Sequence, residues 1–100
     1  MHASDSDSAR IWYLEGFTDE RQKLRRFPLR SFPFRVGREA GMDLVLTSDR
    51  VSNRHALIEQ TDDSLLLLDL DSTNGTFVNR RRIDRPETLE EGDILHFSTL

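Results

Sequence analysis

Cysteine is absent from this chain of 100 residues. That removes disulfides, thiol nucleophiles and thiolate zinc sites together, and it fits a reducing compartment. No apolar run approaches the ~20 residues of a membrane-spanning helix. The opening stretch, "MHASDSDSA" (residues 1–9), is acidic and polar, without the basic start and apolar run of a secretory signal. It reads as a disordered tail. Lysine is nearly missing as well: the 14 basic residues are 13 arginines and Lys23. Arginine's planar fork suits bidentate contacts with carboxylate and phosphate oxygens, but codon bias produces the same excess. A net charge of −4 argues against a general nucleic-acid binder. His2, His55 and His96 lie far apart and lack ligand spacing, so no metal site is expected. Gly37 and Gly75 fit neither GxGxxG nor GxxxxGK[ST], so no nucleotide cradle and no cofactor are expected. The default is one soluble, cytoplasmic domain over residues 10–100, with no membrane partner.

What is present reads as strands and turns. "RIWYLEGF" (residues 10–17) alternates and is rich in aromatics, as a half-buried strand requires. Pro28 and Pro33 exclude a central strand around residues 27–38 and suggest edge pieces and a turn. "DLVL" (43–46), "HALIEQ" (55–60), "TFVN" (76–79), "RRI" (81–83) and "DILHF" (93–97) are further strand candidates. "SLLLLDL" (64–70) is too short for a typical helix and is bounded by turn formers, so it reads as a buried strand. "RPETLEEGD" (85–93) is closed off by Gly92 and reads as a turn into the last strand. Turn signals recur about every 8–12 residues, the spacing of an all-β sandwich.

In a sandwich the loops gather at two ends, and function concentrates there. Three loops here are unusual. "VGREAGMD" holds Gly37 and Arg38 at a strand end; "TSDRVSNRH" holds Arg50, Ser52, Asn53 and His55; "DSTNGTFVN" holds Thr73, Asn74, Gly75 and Asn79. Guanidinium groups, hydroxyls, amides and backbone N–H groups are nearly all donors, the inventory that an oxyanion with several acceptor oxygens demands. Phosphate is the natural guest. Ser52 with His55 superficially suggests a nucleophile and base, but no orienting acid or oxyanion hole accompanies them, so no catalytic residue and no enzyme is expected. Asn74-Gly75 is also a strong hairpin-turn signal. Arg80, Arg81 and Arg82 read as a solvated patch, or as a rim favouring acidic peptides.

The run "VGR…SNRHA…DLDSTNGTFVN…GDIL", spread over residues 34–97, resembles the forkhead-associated (FHA) domain, a phosphothreonine-peptide-binding β-sandwich of two twisted, mainly antiparallel sheets. The resemblance implies that Arg38 reaches the phosphate and that Ser52 donates its hydroxyl and backbone N–H to it, with Asn53 adding a donor. It implies that Thr73 helps close the pocket and that Asn74 holds the peptide main chain. Asn79 would be a second main-chain anchor or a loop brace, and Arg50 would read the residue three after the phosphothreonine. Gly37, His55 and Gly75 would shape the loops. The alternative is a phospho-independent interaction or dimerisation domain on the same scaffold.

Two departures from the family pattern set further expectations. Arg80 stands where the family commonly has glycine, so that hairpin is expected to differ in shape. In the family a further strand normally follows the position of Leu100, so the C-terminal strand is expected to be truncated. The chain would then be the N-terminal module of a larger bacterial regulator. An unpaired edge along the first strand, residues 10–17, would be open to a dimer.

Overall fold

Alternation decides which face each strand buries, and the computed structural model, which describes residues 1–5, 11–17 and 24–98, is built almost wholly of strands. No described residue is helical, and no helix is long and apolar enough to cross a membrane. The strands in order are β1 (His2–Asp5), β2 (Trp12–Phe17), β3 (Leu24–Pro28), β4 (Phe34–Gly37), β5 (Leu44–Val45), β6 (Ala56–Thr61), β7 (Ser64–Asp69), β8 (Thr76–Val78), β9 (Arg81–Arg82), β10 (Glu87–Leu89) and β11 (Leu95–Phe97).

One layer is a five-stranded sheet in the order β10-β7-β6-β4-β5, antiparallel except for the β4–β5 pair. In β6, Ala56 and Ile58 point into the core while Leu57 and Glu59 are half-buried on the outer face. The apolar run of β7 obeys the same period: Leu65 and Leu67 are buried, Leu66 and Leu68 only half so. Each fully buried leucine contributes about 1.5–3 kcal/mol relative to exposure. The facing layer consists of β1-β2-β3 and β11-β8-β9. Ala3, Leu14 and Phe27 form one inward row across the first of these, and Val78 and Leu95 pair inward in the second.

The start of the chain departs from the sequence-based expectation. Residues 2–5, expected within a disordered tail, form β1, with Ala3 wholly buried and four residues in register with β2. Residues 6–9 of that tail lie outside the described residues. β1 also bonds on its other side: the Ala3 N–H donates to Asp93 O at 2.9 Å, and the Gly92 N–H donates to Ala3 O at 2.7 Å. It therefore stands between β2 and the segment entering β11 and joins the two short sheets. A weak strand sequence is held here because the backbone groups on both sides need partners. Over Tyr13–Glu15 the expected exposed edge is closed, since β1 pairs there on one side and β3 on the other; Arg10 lies outside the described residues.

β10 was not foreseen in "RPETLEEGD", where Glu87–Leu89 pair with Leu65–Leu67 of β7. Pairing to an apolar neighbour, with Leu89 buried, supplies what the local sequence did not show. The hairpin at residue 80 keeps a tight form. Asn79 and Arg80 make a two-residue loop with φ of +50° and +71°, both positive, as the type I′ geometry between twisted strands demands. An arginine in that conformation costs about 1–2 kcal/mol, part of which glycine would give back as unfolded-chain entropy. Arg80→Gly is therefore expected to stabilise the fold by up to about 1 kcal/mol. Urea titration measures this, and a lowered midpoint would contradict the strained-turn assignment.

Candidate functional site: three loops at one end of the sandwich

His55 organises the end of the sandwich where β4, β6, β7 and β8 turn. Its side chain is wholly buried and meets Phe97 edge-on, with ring centroids 5.9 Å apart. Nδ1 accepts the Ser52 N–H at 3.0 Å, and Nε2 lies 2.8 Å from Gly75 O. Only the neutral imidazole carrying its proton on Nε2 satisfies both contacts. The ring thus ties the 46–55 loop to the 70–75 loop. It also leaves no nitrogen for the Ser52 hydroxyl, so Ser52 and His55 are not arranged as a nucleophile and its base.

The same two loops are stitched again nearer the surface. Ser52 Oγ accepts the Thr73 N–H at 3.1 Å, and Asn74 Nδ2 donates to Arg50 O at 2.7 Å. On the other flank, the Arg38 N–H donates to Ser52 O at 3.0 Å, and Arg38 Nε donates to Val51 O at 3.0 Å. Arg38, Arg50, Ser52, Thr73 and Asn74 are brought together in this way. Asn53 lies exposed beside Ser52, with its backbone packed on Gly37. A methyl group on Gly37 would sit 2.1 Å from Asn53 O, which is why the strand end must be glycine if this loop is to approach it. Gly75 has φ +91°, a conformation closed to most side chains, and it follows Asn74 at the turn.

The donors keep capacity for a guest. The Ser52 hydroxyl accepts one bond from Thr73 and retains its own hydrogen. Among the described residues, the Arg50 guanidinium has no carboxylate within ion-pair distance. Arg38 has only the fully exposed Asp49, at 4.0 Å. Such a surface pair contributes little. The site is a shallow cationic, donor-lined shelf, suited to an oxyanion with several acceptors.

Asn79 does not belong to it. It lies past the far end of β8 from Gly75; its Nδ2 donates to Asp93 Oδ1 at 2.9 Å, and its Oδ1 accepts the Ile94 N–H at 3.0 Å. Both halves of the amide bond across to the β10–β11 connection, the arrangement of the loop brace that was one of the two roles expected for Asn79.

Sequence reasoning missed the scaffold beneath the third loop. The Asp69 carboxylate accepts from Ser72 N at 3.2 Å, Ser72 Oγ at 2.5 Å and Thr76 Oγ1 at 2.7 Å. Ser72 Oγ in turn accepts the Gly75 N–H at 3.0 Å. The Asp-x-x-Ser spacing was the available signal, since such pairs close local turns. Burial pushes the Asp69 carboxyl up, but the bonds from Ser72 and Thr76 outweigh it and hold the group below its ordinary value of 3.8.

Two outcomes follow for stability. Because the folded-state pKa is depressed, the Asp69 contribution is fully present above its ordinary 3.8 and is lost as pH falls through the lower folded value. Asp69→Asn is expected to cost about 2 kcal/mol at neutral pH and to flatten the acid limb of the stability profile; an unchanged acid limb in the variant would contradict it. Gly37→Ala is expected to cost about 1–3 kcal/mol by overpacking against backbone that cannot yield. Thermal melts followed by circular dichroism read both.

The comparisons with known proteins bear on the fold that carries these loops. The family model for the FHA domain matches residues 34–98. The transcriptional regulatory protein EmbR of Mycobacterium tuberculosis is 41% identical over 69 residues, covering 69% of this chain and 18% of EmbR. The structure of M. tuberculosis EmbR in complex with a low-affinity phosphopeptide has a TM-score of 0.78 at 33% identity, covering 92% of this chain and 24% of that one. The N-terminal FHA domain of S. cerevisiae Rad53p in complex with a phosphothreonine peptide has a TM-score of 0.67 at 26% identity, covering 83% of this chain and 77% of that one. The chain spans about a fifth of the length of EmbR. By its family-model match and its architecture, the chain belongs to the forkhead-associated (FHA) domain family.

Proposed function

We propose that this chain is a phosphothreonine-peptide-binding signalling module, serving within a larger bacterial regulator as the FHA segment of EmbR does by its length. The observation that carries this reading is the joining of Arg38, Ser52, Thr73 and Asn74 on one shelf by main-chain and side-chain hydrogen bonds. In this reading Arg38 supplies charge to the phosphate, while Ser52 and Asn53 supply donors. Thr73 closes the side of the pocket, and Asn74 exchanges its bond to Arg50 O for the main chain of an extended peptide. Arg50 contacts a residue C-terminal to the phosphothreonine. In this reading the module binds rather than catalyses, and the His55 ring, committed to Ser52 N and Gly75 O, is not placed as a base for the Ser52 hydroxyl. Support also comes from the phosphopeptide complexes of EmbR and Rad53p, whose folds this chain shares.

Magnitudes are consistent with a reversible contact. A phosphothreonine carries about −1.5 to −2 charge at pH 7. Each charge-assisted hydrogen bond contributes about 1.5–3 kcal/mol. A few of these, less the cost of ordering the peptide, give roughly −8 kcal/mol, or micromolar affinity. Discrimination against phosphoserine rests on burying one methyl group, about 0.8 kcal/mol, or about fourfold.

Calorimetric titration with matched peptides carrying threonine, phosphoserine or phosphothreonine tests the proposal. Binding is expected for phosphothreonine, more weakly for phosphoserine and not for threonine. Equal binding of all three would instead identify a phospho-independent interaction domain. Arg38→Ala and Ser52→Ala are each expected to weaken phosphothreonine binding at least about tenfold, the loss of one charge-assisted bond, with the circular-dichroism spectrum of the folded chain retained.

A further inference from the structure

Beside the proposed phosphate shelf, the outer face of the β11-β8-β9 sheet carries a row that the shelf does not use. His96 pairs with Phe77, and Phe77 pairs with Arg82, so all three side chains stand on one face. The inward neighbours, Val78 with Leu95 and Thr76 with Phe97, are buried. The two-residue loop at Asn79 and Arg80 sets this register and places Arg82 opposite Phe77.

Arg82 then reaches back toward the shelf. A methyl group on Gly75 would fall 2.8 Å from Arg82 Nε, 3.1 Å from Arg82 Cζ and 3.2 Å from Phe77 Cε1. The guanidinium therefore lies against the Gly75 backbone, one residue from Asn74, with an aromatic edge beside it. It is exposed, and among the described residues no carboxylate lies within ion-pair distance of it. Arg25, Arg30, Arg50 and Arg80 share that condition among the described residues, whereas the other described arginines are paired. Arg81 pairs with Glu87 at 2.8 Å, Arg26 with Glu15 at 3.0 Å, Arg54 with Glu39 at 3.3 Å, Arg35 with Asp43 at 3.5 Å and Arg85 with Asp84 at 3.5 Å. A chain with 18 acidic residues leaves this guanidinium, packed beside Asn74-Gly75, without one. At the other end of the row, burial lowers the His96 pKa first, and the Met1 amino group and Arg80 lower it further.

We propose that Arg82, supported by Phe77 and the Gly75 backbone, is a specificity-determining subsite for an acidic side chain of the phosphopeptide, beyond the residues that Asn74 holds. This rests on the phosphopeptide reading above. It separates Arg82 from its neighbours in "NRRRI": Arg81 is already neutralised by Glu87, and Arg80 lies in the turn at the far end of β8. The chemistry is that of a fork-shaped cation receiving a carboxylate, held in place by its packing, so that little ordering is needed on binding.

The test uses three phosphothreonine peptides that share the residues next to the phosphothreonine. Their flanks carry aspartates on the N-terminal side, aspartates on the C-terminal side, or asparagines throughout. Titrated against the wild-type chain, one of the two acidic peptides is expected to bind about 5–10-fold more tightly than the asparagine peptide, the range of a charge-assisted contact at a rim. Arg82→Gln is expected to bring that peptide down to the affinity of the asparagine one. Continued binding of the asparagine phosphopeptide shows the variant to be folded. Arg81→Gln is expected to keep the preference. Absence of any preference in the wild type, or a preference undiminished in Arg82→Gln, overturns the subsite while leaving phosphothreonine binding intact. Failure of every phosphopeptide to bind the wild type overturns the functional reading itself, and the subsite with it.

Discussion

A single buried imidazole holds the functional end of this domain together. His55 sits in β-sandwich core and receives the Ser52 N–H on one nitrogen, while it gives a proton to the Gly75 carbonyl from the other. Buried polar groups are tolerated only when satisfied, and here satisfaction requires two loops from different hairpins to be present at once. The relation between the Ser52 loop and the Asn74 loop is therefore a consequence of core packing. The surface contacts, Ser52 Oγ with Thr73 N–H and Asn74 with Arg50 O, add to an arrangement the core has already imposed. Asp69 performs the equivalent task within the 70–75 loop, bonding Ser72 and Thr76 so that the chain enters the turn in one conformation.

With the loops fixed from below, the groups above them are free to receive a ligand. Charges are distributed in keeping with that division. At the shelf, Arg38, Arg50 and Arg82 have weak partners or none among the described residues, whereas Arg26, Arg35, Arg54, Arg81 and Arg85 are paired with neighbouring carboxylates. A net charge of −4 thus coexists with a local cationic surface. Local sign, not total charge, governs which ligand approaches such a surface. Pre-organised donors with modest individual contacts suit reversible binding of an oxyanion ligand.

Much of the architecture was legible in the chain. Period-two alternation located β2, "HALIEQ" stood out as a strand candidate at β6, and the apolar run at 64–70 gave β7, because burial writes itself directly into the sequence. Gly75, Gly37 and His55 were legible for a similar reason, since few residue types satisfy such backbone or buried geometry. The hairpin that Asn74-Gly75 signals does not form, because β7 and β8 lie in different sheets. β10 was not legible, since its three residues are strand only by virtue of pairing with β7. β1 was hidden for the same reason, as "HASD" has little strand character and is recruited by unpaired backbone on β2 and beside β11.

By itself the sequence determined the kind of chemistry: loops rich in guanidinium, hydroxyl and amide donors, turns without helices, and a loop order that allows three segments to meet. Only the tertiary structure decided which polar residues share the site. Asn74 and Asn79 are of one type and five positions apart, yet β8 carries them to opposite ends of a strand, one to the shelf and the other to a brace. Arg82 is further along the chain than Asn79 but returns to the side of Gly75, because an antiparallel hairpin reverses direction. Chain distance measures composition along a line, whereas register and strand direction set distance in space. That is why residue types could be read in advance and their partnerships could not.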